Sequence, residues 1–126
     1  MISVIVVSYE AEGVLRRCLD SVAPLVEDGH EVWVVDNASS DGSAKLVRRD
    51  FPGCRLLQLD ENVGFGAANN RAAREAGGDS FLLLNPDAWL EEGCAHRLSE
   101  ALEEDAGLEA CRDPANDGRP HQGSQG

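Results

Sequence analysis

Four short apolar runs, each followed by a stretch of helical periodicity, leave this chain few folds to choose from. Ile2-Ser3-Val4-Ile5-Val6-Val7-Ser8 is β-branched and apolar on both faces, the pattern of a central parallel strand covered by helices on each side. Val14, Leu15, Cys18, Leu19 and Val22 then recur at helical spacing and predict a helix over Glu12 to Val22, ended by Pro24. A second strand is expected over Glu31 to Val35 and a short helix over Ala44 to Asp50, closed by Phe51-Pro52-Gly53. Arg55 to Leu59 reads as a third strand, and the Ala-rich stretch from Ala67 to Ala76 as a helix stopped by Gly77-Gly78. A buried strand over Ser80 to Leu84 and a helix over Cys94 to Glu104 follow. Strands that alternate with helices predict an α/β fold: a Rossmann-like, mostly parallel sheet, ordered 3-2-1-4, in three α/β/α layers.

A chain of 126 residues fits one domain with one ordinary core. That domain is expected over residues 1–111, because from Arg112 onward Asp, Pro, Asn, Gly, His, Gln and Ser dominate and residues 112–126 read as a flexible tail. The 23 acids against 11 Lys and Arg give a net charge of -12, which repels nucleic-acid phosphates and anionic membrane surfaces. Nucleic acid is therefore set aside as a partner. A phosphorylated ligand would need local neutralisation by a divalent cation, helix N-terminal amides or a few arginines. Cys18, Cys54, Cys94 and Cys111 form no C-x-x-C pair and do not cluster with histidine, which argues against zinc. Reduced thiols and a cytoplasmic location are expected, with no basic leader ahead of the first strand. No apolar run approaches the ~20 residues of a membrane span.

The chemistry-bearing residues gather at the ends of strands. Phe81-Leu82-Leu83-Leu84 stops at Asn85-Pro86-Asp87-Ala88, and Val34-Val35 runs into Asp36-Asn37-Ala38-Ser39-Ser40-Asp41-Gly42-Ser43. Open α/β sheets bind ligands at such carboxyl ends. Asp36 suits either a ribose hydroxyl or base N–H, or the capping of the next turn. Asp41, set in Ser-Asp-Gly-Ser, reads as turn and cap chemistry. Asn62-Val63-Gly64-Phe65-Gly66-Ala67-Ala68-Asn69 partly matches the dinucleotide fingerprint, but Asn69 replaces the third glycine and the turn follows the third strand, so a nicotinamide or flavin site is not expected. Its glycines let backbone approach a phosphate or sugar; the alternative is a tight connection without a ligand. Pro86 lacks an N–H, which helps project the Asp87 carboxylate out of the sheet, where it would hold Mg²⁺ or Mn²⁺ together with diphosphate oxygens, or else cap the following helix. His30, His96 and His121 read as solvated.

Together these segments resemble family 2 glycosyltransferases of the GT-A fold, especially the rhamnosyltransferase-like group. The resemblance rests on Val4-Ile5-Val6-Val7-Ser8-Tyr9-Glu10, Val34 to Ser43, Asn62 to Gly66 and Leu83 to Asp87, in that order, and covers about residues 1–111. It implies that Ser8, Tyr9 and Glu10 line a nucleoside pocket, that Asp36 contacts base or ribose, and that Asn62, Gly64, Gly66 and Asn69 also serve the nucleotide sugar. Asn85-Pro86-Asp87 would stand where many relatives have Asp-x-Asp, with Asp87 facing the metal and Asn85 leaving one fewer negative charge. Relatives continue into a second half with the acceptor site and carboxylate base, which nothing after Asp87 resembles, so 112–126 would be either tail or the start of that half.

The implied activity is glycosyl transfer from a UDP- or dTDP-sugar to an unknown glycan or small-molecule acceptor, with the catalytic base unassigned and a homo-oligomer or partner subunit left open. The alternatives are a non-catalytic nucleotide-sugar-binding module, or the remnant of a truncated enzyme. A purely structural domain would leave the acid- and glycine-bearing strand ends without a purpose.

Overall fold

A computed structural model of the protein describes residues 1–104. The elements run β1 (Ile2–Ser8), α1 (Glu12–Glu27), β2 (Glu31–Asp36), α2 (Ser43–Asp50), β3 (Arg55–Gln58), α3 (Phe65–Glu75), β4 (Ser80–Leu84) and α4 (Cys94–Glu104). The strands form one sheet in the expected order, β3-β2-β1-β4, with every neighbouring pair parallel. Ser8 lies opposite Asp36, and Asp36 opposite Gln58, so the carboxyl ends of the three strands finish level. The division at residue 111 and the tail from 112 to 126 lie outside the described residues.

Every residue of β1 is buried, as a central strand with helices on both faces requires. Ile2, Val4 and Val6 pack with Leu15, Leu19, Val22 and Leu25 of α1, Val47 of α2 and Leu98 of α4. Ile5 and Val7 pack on the opposite face with Ala68 and Ala72 of α3. The layers are therefore unequal: three helices on one face and one on the other. That inequality corrects the reading of β4 as a buried strand. Leu82 and Leu84 join the three-helix core, but Phe81 and Leu83 point to the other face and are 48% and 41% exposed, because α3 packs on β1 and β2 and leaves the edge strand bare.

Pro24 does not end α1. The helix runs on to Glu27, because Pro24 itself is exposed while Leu25, next to it, is fully buried in the core. Burial of that side chain outweighs the lost backbone hydrogen bond. The helix stops where Gly29 adopts φ +93° and the amides of Gly29 and His30 donate to the carbonyls of Val26 and Leu25. His30 is not simply solvated either: Nδ1 accepts the Ile2 amide at 3.0 Å and Nε2 meets Ser99 Oγ at 2.9 Å, tying the start of β1 to α4.

The expectation of reduced thiols holds for Cys18 and Cys54 and fails at Cys94, which is disulfide-bonded. Burial, and then the neighbouring Cys54 and Asp87, push the Cys18 thiol up to about 12, so it packs as a small apolar group. Among the described residues, no helix is long and apolar enough to cross a membrane.

Candidate functional site

Parallel pairing brings the ends of β1, β2 and β4 to one edge, with Ser8-Tyr9-Glu10 flanked by Asp36 on one side and Asn85-Pro86-Asp87 on the other. Ser8 and Asp36 are buried to 0% and 1% exposure, while Tyr9, Glu10, Asn62, Asn85 and Asp87 are exposed. Asp36 uses only half of its carboxylate: Oδ2 accepts the Ser39 amide at 3.2 Å, and Oδ1 has no partner. Ser8 Oγ is likewise unpartnered. Asn69, one turn into α3, donates Nδ2 to the Phe65 carbonyl at 3.1 Å and leaves Oδ1 bare. Among the described residues these are the buried side-chain polar atoms without a partner, and all three belong to residues selected from the sequence. Leaving such an atom unsatisfied costs about 1–3 kcal/mol, so a ligand that supplies donors there gains what the empty fold forgoes.

The two loops that form the rim are joined by hydrogen bonds from backbone amides. Glu10 N donates to Ser39 Oγ at 2.8 Å, and the Glu10 carboxylate accepts the amide and hydroxyl of Ser40 at 2.6 and 2.9 Å. Next along, Glu12 N donates to Asp41 Oδ2 at 3.1 Å while Gly42 N donates to Glu12 Oε1 at 2.9 Å. Asp41 thus caps α1 from another loop, in place of Ala11, which has no capping side chain. Glu10 and Ala38 hold left-handed backbones at φ 51° and 66°, strained conformations sustained only because these bonds surround them.

Partial burial raises the Asp41 carboxyl, but hydrogen bonds from the Ser43 hydroxyl and amide and from the Glu12 amide more than offset it and hold the group below its ordinary value of 3.8. A carboxyl lowered by folding contributes stability above its unfolded value that is lost as pH falls through its folded one. Stability is therefore expected to decline as pH drops below about 4, and Asp41→Asn should remove part of that decline. Urea melts at pH 5 and pH 3 check this; an identical pH dependence in the variant would contradict it.

The glycine turn at 62–66 depends on a residue that was not singled out from the sequence. Asn37, 3% exposed, accepts the Val63 amide on Oδ1 at 2.9 Å and donates Nδ2 to the Gly64 carbonyl at 3.3 Å. Asn62 Oδ1 accepts the Gly64 amide at 2.8 Å, and Gly64 takes φ 88°, which a side chain would oppose. α3 begins at Phe65, two residues earlier than expected, with no side-chain cap on its first amides. A Cβ added at Gly64 or Gly66 would meet nothing within 4 Å, so the backbone there is open to approach.

At the end of β4, the Asn85 carbonyl accepts the Ala88 amide at 3.0 Å and the Cys18 thiol at 3.6 Å, fixing a turn that presents Asp87 to solvent. Among the described residues no three His, Cys, Asp or Glu side chains form a metal cage. A Mg²⁺-like ion held by one or two carboxylates, with water and substrate phosphates completing its shell, needs no such cage, and the single exposed Asp87 fits that mode.

Residues 3–124 match the sequence profile of Glycosyl transferase family 2. The chain is 31% identical over 106 residues to the glycosyltransferase GlyA of Streptococcus pneumoniae, covering 82% of this chain and 15% of that protein. It is 30% identical over 112 residues to the N-acetylglucosaminyl-diphospho-decaprenol L-rhamnosyltransferase of Mycobacterium tuberculosis, covering 80% and 36%. Among solved structures it is similar to S. aureus TarS 1-349 in complex with UDP-GlcNAc, at TM-score 0.71 and 26% identity, covering 82% of this chain and 31% of that one. The mannosyltransferase PcManGT of Pyrobaculum calidifontis, in complex with GDP-Man and Mn²⁺, aligns at TM-score 0.66 and 30% identity, covering 81% and 31%. The chain thus spans well under half the length of these relatives.

Proposed function

The chain belongs to Glycosyl transferase family 2, and on that premise we propose that its described residues are the donor-binding half of a glycosyltransferase, taking a UDP- or dTDP-sugar with Mg²⁺ or Mn²⁺. The observation that carries this reading is the coincidence of the unpartnered buried atoms, Ser8 Oγ, Asp36 Oδ1 and Asn69 Oδ1, with the carboxyl edge of a GT-A-like sheet. A nucleoside and sugar bristle with N–H and O–H donors, which is what those acceptors lack. The complexes of similar proteins with UDP-GlcNAc and with GDP-Man and Mn²⁺ support the same ligand class.

In this reading Ser8, Tyr9, Glu10 and Asp36 hold the nucleoside. The turn of Asn62, Gly64, Gly66 and Asn69 brings backbone amides to the diphosphate or the sugar. Asn85 and Asp87 stand at the metal, and a divalent cation held there would offset the charge of the departing diphosphate. A chain with net charge -12 repels a diphosphate unless the charge is offset locally, so affinity should depend strongly on that cation.

The test is thermal melting with UDP, dTDP and GDP, each with Mn²⁺ and with chelator. At about 100 times Kd, linkage adds about 2.7 kcal/mol, a rise of several degrees for a domain of this size. No shift with any nucleotide, or the same shift with metal and with chelator, would sink the proposal.

A further inference from the structure

Asn37 is bonded through its backbone amide and through both polar atoms of its side chain at the junction of three strand ends. Its amide donates to the Ser8 carbonyl at 2.8 Å, its Oδ1 accepts the Val63 amide and its Nδ2 donates to the Gly64 carbonyl. That carbonyl also accepts the Ala68 amide at 3.1 Å, the first bond of α3, so Asn37 grips the residue from which the helix starts. A second tie runs alongside, from Leu59 N to the Asp36 carbonyl at 2.9 Å. Between them, these bonds set where the uncapped amides at the start of α3 stand relative to Asp36. With both side-chain atoms engaged by the turn and the residue 3% exposed, Asn37 serves the loop and presents no open face to a ligand.

We infer that Asn37 is a positioning residue for nucleotide binding: by fixing Val63 and Gly64 it holds the open N-terminus of α3 in register with Asp36. The inference rests on the reading of this edge as a nucleotide site. Removing the side chain frees the turn, so that Gly64 leaves its left-handed conformation at little cost and the two halves of the site no longer meet the same ligand at once. Affinity then falls without any direct contact being lost.

Calorimetric titration of UDP with Mn²⁺ separates positioning from folding. A role in folding alone raises the apparent Kd only by the reciprocal of the folded fraction, less than about twofold while denaturant melts show the variant mostly folded. Misplacement raises Kd well beyond that factor, at unchanged stoichiometry. Asn37→Ala is expected to weaken binding about tenfold, the equivalent of roughly one to two neutral hydrogen bonds, with full stoichiometry and faster amide exchange at Val63 and Gly64 but not in β1. Asn37→Asp, which keeps the acceptor for Val63 but turns the donor to Gly64 into an opposing acceptor, should weaken it by at least about threefold, since the tie to the start of α3 is the one lost. Unchanged Kd in Asn37→Ala, or in Asn37→Asp should the alanine variant not fold, overturns the inference while wild-type binding leaves the nucleotide reading standing. Absence of UDP binding to the wild type overturns both.

Discussion

In Asp87→Ala, nucleotide diphosphate is expected to bind equally weakly with Mn²⁺ and with chelator, while the unliganded protein melts where the wild type does. Asp87 is exposed at the tip of a turn whose fold is held by backbone groups of Asn85, Ala88 and by Cys18, not by the carboxylate. Exposed substitutions away from such bonds change stability by less than about 0.5 kcal/mol. Its effect on the ligand should be large, because no other described acid stands with it as part of a metal cage. The stabilisation of about 2.7 kcal/mol that nucleotide with metal gives at 100 times Kd should fall to the smaller value seen with chelator. Unchanged metal dependence in calorimetry would assign the cation to some other residue.

Leu19→Ala should have the largest effect on the fold itself. Leu19 is fully buried on α1, in the core that joins three helices to β1 and β2. Truncation removes three heavy atoms from a site walled by strands that cannot collapse inward, for a cost of about 3 kcal/mol. Against a typical total of about 5–15 kcal/mol this is a large share, and the melting temperature should fall by roughly ten degrees or more. A loss under about 1 kcal/mol in chemical denaturation would mean that this core is not packed as described.

The strands and their order could be read from the sequence because each apolar run is short, and because the right-handed crossover rule leaves few orders for four βα units. The places that could not be read are set by tertiary contacts. Pro24 is a stop signal in isolation, yet Leu25 must reach the core and carries the helix past it. Phe81 and Leu83 look like core residues until one knows that only α3 covers that face and that it stops short of β4. Asp36 and Asn69 were legible as ligand candidates from their place after a strand and in a glycine turn. Asn37 was not, although it adjoins Asp36, because its partners lie 26 and 27 residues ahead and meet it only when the third strand end folds back.

In the proposed function the carboxyl edge of the sheet binds a nucleotide diphosphate, and amide chemical-shift mapping of a UDP and Mg²⁺ titration tests that residue by residue. Saturable shifts at Ser8–Glu10, Asp36–Asp41, 62–69 and 85–88, with β1 residues Ile2–Val4 at the far edge unmoved, are the predicted result. Shifts confined to the exposed Phe81 and Leu83 face, or no saturable shift at any of these strand ends, would contradict it.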